Sequence, residues 1–298
     1  MNATGSPAMK PSVLLSIDFE DWHQLVRRRV GAPGWERPGP ALARQTHALL
    51  DLLDELGARA TFFVLGMAAR AHPELVQLIA ARGHEIGCHG DAHVLVHRQT
   101  ADEFAEDLRS AKQTIERLTG QTPSGYRAPA FSITKQSPWA YDVLAEQGFS
   151  YDASEHDSPR IRDRAPATGD ASGPHPIDSS LWEFPVAVWR AGRARLPVGG
   201  ASYWSVMPTA LVLHALARAG PTPGLYMHPN ELDPDPLDPA LPATATAAQK
   251  GKAKLRAAQR NAARRRAPGV LRAIARRFKL IPYGEAYAKL GDGAAARP

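Results

Sequence analysis

The sequence predicts an α/β fold built from parallel βα units. Short apolar, strand-like segments such as residues 12–17 and 60–65 alternate with longer segments such as 41–56, whose apolar residues recur at helical spacing. This alternation is typical of parallel sheets with crossover helices. About six such units fit either a closed barrel or an open, doubly wound sheet. No Gly-rich nucleotide-binding motif follows a predicted strand, so the sequence gives no reason to choose the open sheet.

Local signals justify the elements in order. Gly57, Gly83 and Gly148 directly follow predicted helices, and Gly120 comes two residues after another, at positions where glycine favours helix termination. Thr100 begins one helix with a capping-box pattern. The predicted strands are 12–17, 60–65, 85–88, 125–126, 149–151, 181–188 and 224–227, and the predicted helices are 41–56, 73–82, 100–118, 138–147 and 208–219.

Composition excludes several classes of protein. Of the 298 residues, 44% are hydrophobic and 22% are charged, which argues against a disordered, fibrous or membrane-spanning chain. Cys88 is the single cysteine, so no disulfide framework forms within the chain. Residues 1–10 lack the apolar stretch of a signal peptide. From these two points we expect a cytoplasmic location.

Charge is distributed unevenly along the chain. The net charge is +6, but residues 240–279 hold twelve Lys or Arg and no acidic residue, leaving 24 basic and 30 acidic residues elsewhere. We therefore expect no specific nucleic-acid partner. Residues 249–279 form either a solvated helical face or a contact for an anionic polymer or membrane surface. The predicted organisation is a disordered N-terminus (1–11), a barrel (12–239) and a basic helical extension (240–298).

Polar side chains follow several predicted strands at their carboxyl ends. In a βα barrel these ends converge on the face that holds the active site. The alternative is that each set lies in a solvated turn. These side chains are Asp18, Glu20 and Asp21, then His89, Asp91 and His93, then Tyr126 and Arg127, and finally His228.

The pair His89 and His93 suggests a metal site. If residues 89–93 formed one helical turn, both imidazoles would face the same side. Two histidines and a carboxylate suit zinc or another first-row divalent ion, with positions open for water. The alternative is an incidental pair. We expect His84 and His97 to be structural or exposed.

Five motifs together resemble the polysaccharide deacetylase family, which is carbohydrate esterase family four. They resemble most the branch associated with exopolysaccharide gene clusters and exosortase systems. The resemblance implies a distorted (β/α) barrel with about seven parallel strands, and metal-dependent removal of acetyl groups from sugars. The motifs are LSIDFEDW (15–22), TFFVLG (61–66), GHEIGCHGDAH (83–93), GYRAPAFS (125–132) and LYMHPNELD (225–233).

The resemblance assigns a catalytic base and three metal ligands. Asp18 corresponds to the base, and His89 and His93 correspond to the histidine ligands. Phe19 occupies the usual position of the acidic ligand, so Glu20 is the first choice for that ligand and Asp21 the second. Side chains two apart in an extended segment point the same way, which favours Glu20. We expect one divalent ion, with zinc preferred over cobalt, nickel or iron.

The remaining roles also follow from the resemblance. Arg127 would orient the base, His228 would act as general acid, and the backbone N–H of Ala130 would contribute to an oxyanion hole. Tyr126 and Trp22 are expected near the oxyanion or substrate. Phe131, Tyr203 and Trp204 are further candidates for stacking on sugars, and Asp178 with Trp182 for the family's fourth motif.

The predicted function is therefore a metal-dependent hydrolase that removes acetyl groups from the N-acetylated sugars of an exopolysaccharide. One alternative is hydrolysis of another C–N bond on the same fold, as in allantoinase-like enzymes or peptidoglycan deacetylases. Another is a catalytically impaired sugar-binding protein, because Phe19 and Asp91 depart from the family pattern. Asp91 adds charge that could tune or join the metal site.

Overall fold

The computed structural model describes residues 10–157, 173–204 and 206–295, without the side chains of 263 and 291–295. Most of the predicted disordered N-terminus lies outside these ranges. No helix within them has both the length and the apolarity of a membrane span. The strands are β1 (Ser12–Phe19), β2 (Thr61–Val64), β3 (Glu85–Cys88), β4 (Gly125–Tyr126), β5 (Tyr151–Asp152), β6 (His175–Pro176), β7 (Trp182–Glu183), β8 (Trp189–Ala191), β9 (Ala194–Leu196), β10 (Gly224–Met227) and β11 (Lys279–Ile281).

The helices surround the sheet and occupy most of the predicted positions. They are α1 (Trp22–Arg29), α2 (Leu42–Glu55), α3 (Gly66–Ala71), α4 (Pro73–Ala81), α5 (Ala101–Thr119), α6 (Trp139–Glu146), α7 (Thr209–Leu216), α8 (Ala247–Arg264), α9 (Ala267–Arg277) and α10 (Tyr283–Ala295). The predicted capping box at Thr100 is present at the start of α5, which ends at the left-handed Gly120.

The main sheet is parallel and curled. Seven strands follow one another in the order β10, β1, β2, β3, β4, β5 and β7, and antiparallel β6 lies at the edge. Isolated parallel bridges join Val186 to Gly224 and Gly200 to Tyr226, which connects the segments after β7 to β10 at the opposite edge. The predicted distorted barrel of about seven parallel strands is confirmed.

Two apolar clusters cover opposite faces of β1. Val13 and Ile17 belong to the main cluster under the helices, whereas Leu14 packs with Phe63 and Tyr151 in a second cluster inside the barrel. Burial of both faces explains why β1 is almost continuously apolar. Because side chains alternate along a strand, the inward face that carries Leu14 also presents polar residues nearer the carboxyl end.

The predicted C-terminal extension is helical, but it is also part of the barrel. Strand β11 pairs in parallel with the first residues of β1. In α9, Leu271 and Ile274 are fully buried in the main core, and Tyr283 at the start of α10 lies in the inner cluster. The C-terminal region therefore completes the core of the barrel.

Replacement of Leu271 by alanine tests this integration. The side chain is fully buried, so its loss should lower the free energy of unfolding by about 2–5 kcal/mol. The matched control is Leu255→Ala on α8, where the side chain is 61% exposed and the change should stay within about 0.5 kcal/mol. Urea unfolding measures both, and equal small effects would contradict a shared core.

Candidate metal centre and active site

Glu20, His89 and His93 form a compact set of donor atoms. One ligand atom from each lies within 4.8 Å of the others. Glu20 Oε2 is 3.2 Å from His93 Nε2 and 3.6 Å from His89 Nε2. Zinc bonds of about 2.0–2.2 Å in tetrahedral geometry place ligand atoms roughly 3.3 Å apart. The donor set therefore fits a zinc-like ion with at least one open position.

Strand ends and a tight loop position the two histidines. His89 directly follows β3, and its Nδ1 lies 2.7 Å from the carbonyl oxygen of Arg127, so Nδ1 carries the proton and Nε2 is left for a metal. The expected helical turn between His89 and His93 is wrong. The segment is a loop with left-handed backbone at Gly90 (φ 76°) and His93 (φ 54°), and this loop brings the imidazoles together.

Asp91 and His84 have structural contacts outside the donor set. Both carboxylate oxygens of Asp91 accept hydrogen bonds from Arg70, at 2.6 and 2.8 Å. The expectation that Asp91 could join the metal site is therefore wrong. His84 accepts a hydrogen bond from the Ala60 N–H, and burial lowers the pKa of His84 to about 4. His97 is partly buried and contacts the carbonyl oxygen of Ser132.

The side chains of the three acidic residues at the carboxyl end of β1 point in two different directions. Asp18 and Glu20 lie beside His228, whereas Asp21 caps α1 by accepting hydrogen bonds from the backbone N–H groups of His23 and Gly39. Burial alone would raise the pKa of Glu20, but hydrogen bonds from His89 and His93 hold it well below its usual range. The alternation along the extended segment thus places the first-choice ligand in the cluster and the second-choice ligand outside it.

Arg127 is fully buried and holds Asp18. Its Nη1 donates to Asp18 Oδ1 at 2.9 Å and also to the hydroxyl of Ser16. Nε donates to the Ala153 carbonyl at 2.9 Å, and Nη2 donates to the Tyr283 hydroxyl at 3.1 Å. A buried charge is tolerated when it is paired and hydrogen-bonded in this way. Sequence reasoning missed Ser16 and Tyr283.

His228 completes the polar cluster from β10. Its Nε2 is 3.3 Å from Glu20 Oε1 and 4.0 Å from Asp18 Oδ2. Its Nδ1 is 3.3 Å from Glu231 Oε2, and Glu231 Oε1 accepts from Arg260 of α8 at 3.1 Å. Burial alone would lower the pKa of His228, but the carboxylates of Glu231, Glu20 and Asp18 raise it to about 9.

Glu231 and Arg260 are two further residues of the site that the sequence did not predict. A short 3-10 turn, Pro229–Glu231, brings the Glu231 side chain back to both the backbone N–H and the ring of His228. The spacing of three residues is a capping-box signal that the sequence does contain. Arg260 is far away in the chain and has no such local signal.

Tyr126 and Trp22 are not placed as predicted. Tyr126 is fully buried on the helix-facing side of β4, with its ring centroid 5.6 Å from Phe104 and 5.7 Å from Phe149. Because Arg127 points inward, the preceding side chain must point outward. Trp22 is 8% exposed and packs in a cluster with Ala253 and other residues of α1 and α8. Both are corrected from candidate substrate contacts to packing residues.

The other candidates also divide between surface and core. Ala130 is exposed in the turn Pro129–Phe131 with left-handed backbone (φ 51°), and its oxyanion role stays a prediction. Trp204 is fully buried and donates its indole N–H to the Val198 carbonyl, so the expected stacking role is wrong. Asp178 accepts hydrogen bonds in an exposed turn at Ser180, which leaves the fourth-motif role without support.

Comparison with known families gives two profile matches along the chain. The sequence profile of the polysaccharide deacetylase family matches residues 37–150. The matched residues, which are less than half of the chain, are similar to polysaccharide deacetylases. The deacetylase profile includes His89, His93 and Arg127, whereas a second profile, a domain of unknown function called DUF3473, matches residues 157–279 and includes His228.

Curated proteins that are similar to part of this chain are described as peptidoglycan deacetylases. A peptidoglycan-N-acetylglucosamine deacetylase of Bacillus cereus is 34% identical over 35% of this chain and 37% of the relative. A peptidoglycan deacetylase of Helicobacter pylori is 32% identical over 36% of this chain and 35% of the relative. The chain thus spans little more than a third of these curated relatives.

A solved structure extends the likeness to the whole fold. A crystal structure from Mycobacterium smegmatis, assigned to the polysaccharide deacetylases, has a TM-score of 0.60 and 20% identity, covering 98% of this chain and 94% of that chain. At this identity the likeness shows that the two chains share a fold, including the C-terminal helices.

Substitution of Glu20 separates a metal ligand from a neighbouring structural carboxylate. We expect Glu20→Gln to weaken zinc affinity by more than about 100-fold, because a donor of the cluster loses its charge. The matched control is Asp21→Asn, which changes the cap of α1 and should retain zinc. Competition with a chromophoric chelator measures both affinities. Loss of zinc in the control but not in Glu20→Gln would identify Asp21 as the ligand.

Proposed function

We propose that this chain is a metal-dependent hydrolase that removes acetyl groups from the N-acetylated sugars of an exopolysaccharide. One observation carries the proposal: a Glu–His–His donor set lies next to a held aspartate and a histidine. Asp18 and His228 both lie at this set, with His228 Nε2 3.3 Å from Glu20. Relatives described as peptidoglycan deacetylases make peptidoglycan the second candidate substrate.

The donor set defines what a cofactor would contribute. A divalent ion held by Glu20, His89 and His93 would supply Lewis acidity, lowering the pKa of water and polarising the acetyl carbonyl. Asp18 is the proposed base and accepts the proton of the attacking water. Its fixed hydrogen bond from Arg127 orients the carboxylate for that transfer.

His228 is the proposed general acid. Amide hydrolysis expels an amine, which leaves readily only if its nitrogen is protonated, and His228 Nε2 faces the cluster to donate that proton. Glu231 accepts from the opposite ring nitrogen, which favours the protonated ring and fixes its orientation. Arg260 in turn holds Glu231. The N–H of Ala130 is the proposed donor to the developing oxyanion.

The two departures from the family pattern, Phe19 and Asp91, are compatible with catalytic activity. Phe19 is fully buried in the main core under the helices, so the change moves the acidic ligand by one position to Glu20. Asp91 is neutralised by Arg70. These contacts favour a working hydrolase over a catalytically impaired sugar-binding protein.

Acetate release tests the proposed activity directly. We expect the zinc-loaded protein to release acetate from the hexamer of N-acetylglucosamine, and the chelator-treated protein to release none until zinc is restored. A coupled enzymatic assay for acetate provides the measurement, with Glu20→Gln as the inactive reference. Activity that survives complete removal of the metal would contradict the mechanism.

Comparison of an amide substrate with an ester substrate tests whether His228 is the general acid. We expect His228→Gln to reduce turnover of the N-acetylated hexamer by about 10²–10⁴-fold while zinc stays bound. An acetate ester should lose less, because an alkoxide depends less on protonation than an amine. His47→Gln on the exposed face of α2 is the control and should keep wild-type turnover. Equal losses on amide and ester would argue against the general-acid role.

A further inference from the structure

A basic pocket lies on the surface between α1 and α8. Three of its lining side chains are cationic, and two of these belong to the basic segment singled out by the sequence. Leu255 at the same place is 61% exposed. The lining residues are Arg29, Val30, Lys252, Leu255, Arg256 and Gln259.

Among the residues that the structure describes, the cations of this pocket have no acidic partner. Within the described ranges no carboxylate forms an ion pair with Arg29, Lys252 or Arg256, although Arg260 and Arg272 nearby in the chain pair with glutamates. Partial burial and the neighbouring charge of Arg29 both lower the pKa of Arg256. Like charges held together in this way repel one another, and a bound anion would relieve the repulsion.

The pocket lies close to the candidate active site. On α8, Arg256 and Lys252 precede Arg260 by one and two turns, which is roughly 6 and 12 Å along the helix axis. Arg260 contacts Glu231, the partner of His228. On the other side, Arg29 and Val30 lie at the C-terminal end of α1, which begins at Trp22, two residues after Glu20. The pocket is thus about two helical turns, or roughly 12 Å along the helix axis, from the residues that adjoin the cluster. An oligosaccharide whose acetylated sugar lies at the cluster would have to extend over this distance to reach the pocket.

We propose that this pocket binds the anionic groups of an acidic glycan, such as the carboxylates of uronic acids, beside the N-acetylated sugar that reacts. The inference rests on the proposed function and narrows its substrate class to charged polysaccharides. A membrane surface is disfavoured, because the apolar residues Ala253 and Ala257 of α8 are buried against α1, and Leu255 is the one large apolar side chain that is exposed among the described residues of α8.

Two defined hexasaccharides test the pocket in the full-length, zinc-loaded protein. The acidic probe alternates glucuronate with N-acetylglucosamine, and the neutral probe is the hexamer of N-acetylglucosamine. We expect calorimetry at low salt to show about tenfold tighter binding of the acidic probe, with the preference shrinking at about 0.5 M salt. Lys252→Gln/Arg256→Gln should abolish the preference.

A control variant removes the same charge elsewhere. Arg276→Gln/Arg277→Gln neutralises two exposed cations at the end of α9 and should retain the preference. Equal affinity of the wild-type protein for both probes, or equal loss in both double variants, would overturn the proposal. It is also overturned if the pocket variant loses binding only to phosphatidylglycerol–phosphatidylcholine vesicles.

Acetate release separates this inference from the proposed function. If the acidic probe is preferred through the pocket but neither hexasaccharide releases acetate, the binding site stands and the hydrolase proposal fails. If acetate is released and the two probes bind alike, the hydrolase stands and the pocket proposal fails. Thermal unfolding of both double variants confirms that each is folded before binding is compared.

Discussion

The candidate active site depends on one buried positive charge, the guanidinium of Arg127. An isolated charge of this kind would be strongly unfavourable in the barrel interior, so its donors must all find acceptors. They find them on separate parts of the chain: Asp18 on β1, the carbonyl of Ala153 after β5, and Tyr283 on α10. The requirement to satisfy this charge therefore fixes where the proposed base lies.

The residues of this polar cluster and their partners come from both matched regions and from the segments before and after them. Glu20 precedes the residues matched by the deacetylase profile, His89 and His93 lie within it, and His228 lies within the DUF3473 region. Tyr283 follows both matched regions. The C-terminal helices contribute through contacts of α8 and α10 with the partners of the proposed acid and base. A boundary at residue 240 describes composition better than it describes packing.

The sequence predicts those features that depend on local periodicity. Strand alternation separates Glu20 from Asp21, and the placement of polar residues after strands brings His89 and His228 to one end of the barrel. The expected roles of these residues as base, metal ligands and general acid come from the resemblance to a family, not from periodicity. Where a prediction assumed the wrong local geometry, as in the helical turn at His93, the left-handed loop still gives the expected proximity.

Failures arise where the outcome depends on tertiary contacts. Trp204 is an aromatic candidate whose burial in the core no local pattern indicates. Tyr126 differs, because alternation with its neighbour Arg127 does indicate that its side chain points away from the site. Tyr283 is 156 residues from Arg127 and Arg260 is 29 residues from Glu231, so no local spacing in the sequence identifies either contact. Glu231 is the exception, because a three-residue spacing from His228 was available as a signal.

The pairing of β1 has a consequence for how the chain reaches its native state. This strand lies between β2 and β10, and its first residues also pair with β11, which is remote from it in sequence. Such non-local pairing requires large loops to close, so conformational entropy is lost before the stabilising contacts form. This order of events slows folding. Until β10 and β11 arrive, the apolar edge of β1 is open to other strands, so incomplete chains should be prone to aggregation.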